Sequence, residues 1–150
     1  MQATKIAAKE PVREMAHILV VDDERSICEL LEITFRKEGH RVEIANNVES
    51  AKRKLESQIF DIVISDVRMP GETGVDLLAF TKEIAPGTFF LLVTGVPTLD
   101  TAIAAINAGA DRYRILRFAR RQSRRSEALW LGSLQVLLAV PQLSAERSSC

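Results

Sequence analysis

Five short apolar runs alternate along this chain with stretches of helical periodicity, and that alternation limits the possible folds more than any other feature. The runs are His17–Val21, Arg41–Ala45, Phe60–Ser65, Thr88–Val93 and, less sharply, Arg112–Phe118. The first, third and fourth are nearly continuous in Ile, Leu, Val and Phe, as strands covered on both faces tend to be. Between them Ile27, Leu30, Leu31, Thr34 and Phe35 mark one stripe of a helix that Gly39 ends. Val48, Ala51 and Leu55 mark a second helix, and Val75, Leu78 and Ala79 a third. Leu99, Ala102, Ile103 and Ile106 form a fourth stripe, closed by Gly109. Strands alternating with helices imply right-handed crossovers. The expected fold is therefore α/β: a doubly wound, five-stranded parallel sheet with helices on both faces.

In such a sheet, ligands bind at the carboxyl ends of the strands, where the strand order reverses. Asp22 and Asp23 follow the first run directly, Asp66 ends the third and Thr94 follows the fourth. Three carboxylates and a hydroxyl should therefore meet at one edge. Crowded carboxylates raise one another's pKa unless a cation neutralises them. A hard divalent ion suits such a site, and Mg²⁺ suits one that supplies few protein ligands. A carboxylate beside Mg²⁺ can attack phosphorus, with the metal offsetting charge on the transferring group. The competing reading is structural: an acidic residue after a strand often caps the next helix, and Asp23 or Glu24 could do so for a helix starting near Arg25. The recurrence of such residues at successive strand ends favours the chemical reading.

Bulk properties narrow the class further. The chain has 150 residues, 47% of them hydrophobic, and zero formal net charge. That is enough for one core, with nothing calling for nucleic acid or an anionic membrane. Cys28 and Cys150 form neither a disulfide framework nor a metal motif, so a reducing cytoplasm is expected. The N-terminal stretch lacks the apolar core of a signal peptide, and the longest apolar-rich run, Ala128 to Val140, is too short to span a bilayer.

The segments "ILVVDDE", "DIVISDVRMPGETGVDLL", "LLVTG" and "AIAAINAGAD" resemble the receiver domain of two-component response regulators, over about residues 16 to 113. The resemblance implies a CheY-like fold with strand order 2-1-3-4-5. It also implies that Asp66 is the phosphoacceptor, taking its phosphoryl group from a histidine kinase. Asp23 and Asp66 would bind Mg²⁺ directly, Asp22 through water, and the backbone carbonyl of Arg68 would complete the protein ligands. Thr94 would be the switch hydroxyl and Tyr113 the aromatic that changes rotamer with it. Many family members dimerise through helix 4, strand 5 and helix 5.

The C-terminal part departs from the family. Its fifth strand normally ends in a lysine followed by proline, but this chain has Leu116 and Arg117, and no lysine after Lys82. Leucine can neither donate a hydrogen bond nor carry charge, which favours an alternative: a pseudo-receiver that acts as a protein-binding module. Arg114 and Arg117 stand beside the lysine position on a strand whose faces alternate. Arg117, Arg120, Arg121 and Arg124 fall at helical spacing, which fits a basic face for nucleic acid or an acidic partner or, more commonly, a solvated face. A third hypothesis is that the chain past about Tyr113 is translated out of frame. Its motivation is the abrupt end of the resemblance, and a gene with no downstream frame restoring a receiver-like end would sink it. A phosphatase-type enzyme with Asp66 as nucleophile is also conceivable, but dehalogenase-like enzymes want a second aspartate where this chain has Arg68.

The expected layout is a leader over 1–15, a receiver over 16–118, an atypical fifth helix over 119–140 and a disordered tail over 141–150. The residues after the receiver are too few to hold an effector domain, so the expectation is a single-domain regulator or a receiver cut from a longer chain. The protein should be a phosphoacceptor rather than a turnover enzyme.

Overall fold

The computed structural model describes residues 15–115. The expected fifth helix, the tail, Leu116, Arg117 and most of the leader therefore lie outside the described residues. Strands β1 (His17–Val21), β2 (Arg41–Ala45), β3 (Ile62–Asp66), β4 (Phe89–Thr94) and β5 (Arg112–Ile115) form one sheet in the order β2-β1-β3-β4-β5. Every neighbouring pair is parallel. Four helices make the crossovers: α1 (Arg25–Lys37), α2 (Val48–Ser57), α3 (Gly74–Ile84) and α4 (Leu99–Asn107).

Because side chains alternate along a strand, the sheet feeds two cores. Ile18, Val20, Ile62, Ile64, Leu91 and Val93 face one side, where α1 buries Cys28, Leu31 and Phe35. Leu19, Val21, Val63, Phe90 and Leu92 face the other, against Val48, Ala51 and Leu55 of α2, Leu77 and Leu78 of α3, and Ala105 of α4. Strands apolar on both faces thus read as unbroken runs, as expected for a sheet covered on both sides. Helix α1 stops at Gly39, whose φ of +92° suits glycine. The Gly39 N–H donates to the Arg36 carbonyl (3.0 Å) and the His40 N–H to the Phe35 carbonyl (3.1 Å).

Two helical stripes face differently from the sequence expectation. In α3 the sheet-facing residues are Leu77, Leu78 and Thr81, with Val75 half-buried and Ala79 exposed. In α4 only Ala105 is fully buried; Leu99 is 76% and Ile106 73% exposed, and Ile103 is also exposed. Helix α4 packs through its small residues, which permit close approach, and turns the branched ones outward. In α1, Cys28 joins Leu31 and Phe35 in the buried stripe, while Ile27 is half-buried.

The strand order reverses beside β1, which has β2 on one side and β3 on the other. The carboxyl ends of β1 and β3 therefore flank the crevice where this class of sheet binds ligands.

Candidate functional site

Strand β1 delivers Asp22 and Asp23, and β3 ends on Asp66 itself. Single carboxylate oxygens of these three residues all lie within 4.8 Å of one another. Asp22 is buried, Asp23 exposed and Asp66 half-buried. Backbone N–H groups hold the two less accessible carboxylates: Glu24 N–H donates to Asp22 Oδ1 (2.9 Å), and Arg68 N–H to Asp66 Oδ1 (3.3 Å). The capping role is not taken up. Glu24 is the N-cap of α1 and makes no side-chain cap bond.

The electrostatics are those of crowded acids. Burial pushes the Asp22 carboxyl up to about 7; the Glu24 N–H opposes the shift, while Asp66, Asp23 and Glu24 add to it. Burial likewise pushes Asp66 up to about 6, against the Arg68 and Val67 N–H groups and with help from Asp23 and Glu24. None of the ion pairs among the described residues reaches these three carboxylates. The donor set, three clustered carboxylates open on the Asp23 side with uncompensated negative charge, fits a hard divalent cation such as Mg²⁺.

The remaining site residues sit on β4, β5 and the loop after β3. Asp66 pairs with Val93, so Thr94 lies one residue beyond it on the neighbouring strand. Thr94 is buried, and its Oγ1 accepts the Val96 N–H at 3.1 Å. Tyr113 pairs with Leu92 and is half-buried against the α2–α3–α4 core. Its hydroxyl lies 3.2 Å from Thr101 Oγ1 on α4. Thr101 Oγ1 also lies 3.0 Å from the Thr98 carbonyl and 2.9 Å from Thr98 Oγ1, so the Tyr113 hydroxyl joins a small hydroxyl cluster at the start of α4. Arg68 extends its side chain into solvent, and Arg114 is exposed opposite Val93.

The loop between β3 and α3 is anchored along its length. Val67 and Met69 are buried, and the Val67 N–H donates to the Val93 carbonyl at 2.9 Å. Gly71 turns the chain at φ +84°. Thr73 and Asp76 then form a reciprocal capping box that starts α3. Lys52 of α2 pairs with Glu72 of this loop at 3.0 Å. The sequence reading took Glu24 only as a helix cap and missed Thr101 and Gly74. Glu24 adjoins the acidic pair it influences, whereas Thr101 and Gly74 make their contacts across elements, to Tyr113 of β5 and Asp66 of β3, which local periodicity does not show.

Residues 18–121 match the response regulator receiver domain. The chain belongs to that family. Among curated relatives, the transcriptional regulatory protein ZraR of Klebsiella oxytoca is 39% identical over 118 residues, which is 77% of this chain and 27% of that protein. The response regulator protein PilR of Pseudomonas aeruginosa is 40% identical over 92 residues, 61% of this chain and 21% of that protein. The chain thus spans about a quarter of the length of these relatives. A CheY-like receiver from Methanospirillum hungatei JF-1 superposes with a TM-score of 0.75 at 27% identity, covering 89% of this chain and 99% of that one. The beryllofluoride-activated NtrC4 receiver domain dimer gives a TM-score of 0.64 at 31% identity, covering 79% of this chain and 95% of that one.

Response regulator receivers are signalling domains rather than turnover enzymes. They interact with histidine kinases, can dimerise, and generally bind Mg²⁺ through acidic residues. Among the described residues of this receiver, no helix is long and apolar enough to cross a membrane.

Proposed function

We propose that this receiver accepts a phosphoryl group on Asp66 from the phosphohistidine of a histidine kinase, in a Mg²⁺-dependent step. The observation that carries the reading is the cluster of three carboxylates within 4.8 Å at the β1–β3 switch point. An ionised Asp66 oxygen attacks phosphorus, the new P–O bond forms as the P–N bond breaks, and the imidazole leaves with the electron pair and takes up a proton. Asp23 and Asp66 would hold the cation directly, Asp22 through water, with the Arg68 carbonyl as a further ligand. The cation, when bound, neutralises charge on the phosphoryl oxygens. Asp22 serves by being nearly buried and pinned by the Glu24 N–H, so it cannot swing away from its neighbours.

Thr94 supports the next step. Its hydroxyl stands one residue beyond the partner of Asp66 on β4, where turning toward a new phosphoryl oxygen would release the Val96 N–H. Tyr113 would follow by giving up its bond to Thr101. The face that then changes carries Val96, Leu99, Ile103, Ile106 and Ile115, all exposed. Exposed apolar side chains on adjoining elements favour association, and a dimer through this face is the partner reading we adopt. The NtrC4 neighbour is itself a beryllofluoride-activated dimer. We further propose a receiver over 16–118, operating in the cytoplasm.

The alternative, a pseudo-receiver that binds partners without phosphotransfer, is favoured by one feature: Leu116 stands where the family has its lysine. Intact-protein mass after incubation with acetyl phosphate and Mg²⁺, alongside Asp66→Asn, separates the two readings. A phosphoryl adduct absent from the variant supports the acceptor reading. No adduct on a folded, Mg²⁺-binding chain leaves the pseudo-receiver.

A further inference from the structure

Gly74, the first residue of α3, is buried directly against the backbone of Asp66. A Cβ placed there would lie 2.0 Å from the Asp66 carbonyl oxygen, 3.0 Å from its carbonyl carbon and 3.0 Å from Leu92 Cδ2. Ordinary carbon–oxygen contact needs more than an ångström beyond the first of these distances. Gly71 differs in kind: its φ is positive and a Cβ there would meet nothing within 4 Å. Conformation explains glycine at 71, whereas at 74, where φ is not positive, only space does.

The Asp66–Val67 peptide under Gly74 is held on its other sides as well. Ser65 Oγ donates to the Asp66 carbonyl (2.9 Å), the Val67 N–H donates to the Val93 carbonyl (2.9 Å), and the Val67 carbonyl accepts the Gly74 N–H (2.9 Å). Nor can α3 easily retreat, because Leu77 and Leu78, one turn on, are wholly buried against the sheet. A methyl group at 74 therefore has to be accommodated at the site end, by displacing the Asp66 peptide and the carboxylate it carries. Mg²⁺ demands near-ideal octahedral geometry at about 2.0–2.1 Å, so a shift of about 1 Å in one ligand is decisive.

We propose that Gly74 is a positioning residue for Asp66: its missing side chain lets the first turn of α3 press on the Asp66 carbonyl and hold the carboxylate where Asp22 and Asp23 share a cation with it. The proposal rests on the reading of this cluster as the Mg²⁺ site of a phosphoacceptor. Its test reads the metal alone, by calorimetric titration of the whole unphosphorylated chain with Mg²⁺ at pH 8. Gly74→Ala is compared with wild type and with Thr73→Ala, which removes the cap of the same helix and adds nothing over Asp66. The expected result is a 10- to 100-fold loss of Mg²⁺ affinity in Gly74→Ala, roughly what second-layer support of a metal ligand contributes. Thr73→Ala should melt earlier yet bind Mg²⁺ as wild type does.

Equal affinities in wild type and Gly74→Ala overturn the proposal. So does an equal loss in Thr73→Ala, which would make the effect one of helix stability alone. If Gly74→Ala does not fold, the titration is repeated with trimethylamine N-oxide, which favours compact states. A chain still unfolded there makes Gly74 a folding residue and overturns its positioning role. A wild-type chain that takes up no Mg²⁺ defeats the underlying reading first, an outcome distinct from all the others.

Discussion

The two ends of the sheet treat charge in opposite ways. At the amino-terminal end, His17 Nε2 lies 2.8 Å from Glu43 Oε2, Lys54 Nζ lies 3.1 Å from Glu43 Oε1, and Gln58 donates to that same oxygen at 3.1 Å. The His17 N–H donates to Asp61 Oδ2 at 2.8 Å, and the imidazole stacks on Phe60 with centroids 4.3 Å apart. Both acids, Glu43 and Asp61, have a donor or a cation. At the carboxyl-terminal end, Asp22, Asp23 and Asp66 face one another and no described cation reaches them. The pKa directions differ accordingly. Glu43 is lowered, because the bonds from Gln58, Lys54 and His17 outweigh a desolvation that alone would raise it. Asp22 and Asp66 are raised. Compensated charge ties β1, β2 and α2 together; uncompensated charge is a standing cost to stability that function has to justify.

The two ends should differ most at Asp66. Asp66→Asn is expected to abolish the phosphoryl adduct altogether, while Glu43→Ala should leave it intact; an adduct surviving in Asp66→Asn, seen by intact mass, would move the acceptor elsewhere.

Next in size is the pH dependence of the metal-free protein. Asp22 has a folded pKa of about 7, above its ordinary 3.8, so the folded state binds the extra proton. Stability from this group is full below about pH 4 and is lost as pH rises through 7, by on the order of 2–4 kcal/mol. Asp66 acts in the same direction, over a window ending near its folded value of about 6. Thermal melts in chelator should therefore fall between pH 5 and 8, and Asp22→Asn should flatten the fall. Glu43 has the opposite sign: its lowered pKa adds stability above the unfolded value, which is lost as pH drops through the folded one. Glu43→Ala should accordingly flatten the acid limb and leave the alkaline limb alone.

Mg²⁺ should close the gap between the two ends. At about 100 times its dissociation constant it adds roughly 2.7 kcal/mol, and more of that gain should be seen at pH 8 than at pH 5, because the ligands must be ionised. A melting temperature that rises equally at both pH values would mean that the cation binds away from these carboxylates. The smallest effect belongs to the half-exposed Lys52–Glu72 pair. Lys52→Ala should cost about 0.2–1 kcal/mol by denaturant titration, with little change in Mg²⁺ affinity. A large loss of affinity would show that this tether helps to shape the loop after β3.

The strands were legible because a parallel sheet covered on both faces writes itself as unbroken apolar runs. His17–Val21 and Arg41–Ala45 coincide with β1 and β2. The runs read as Phe60–Ser65 and Thr88–Val93 are displaced from β3 (Ile62–Asp66) and β4 (Phe89–Thr94), because ladder pairing rather than hydrophobicity sets strand ends. The acidic cluster was equally legible, since the residue after a parallel strand has to lie at the sheet's carboxyl edge whatever the loops do. The faces of α3 and α4 were not. Periodicity says which residues share a helix face, but both helices carry apolar residues on more than one face. Which face meets the sheet depends on how close the helix can come. In α4 the approach is made by Ala105, which leaves Leu99 and Ile106 outside.

The sequence by itself determined the alternation of strands and helices, the acidic edge and the family. Those follow from local period and from residue order along a single strand. Only the tertiary structure decided that the Tyr113 hydroxyl meets Thr101, that α4 turns its branched residues to solvent, and that Gly74 rests on Asp66. Each depends on how neighbouring elements meet, set by distances of a few ångströms that the local period of a helix or strand does not encode.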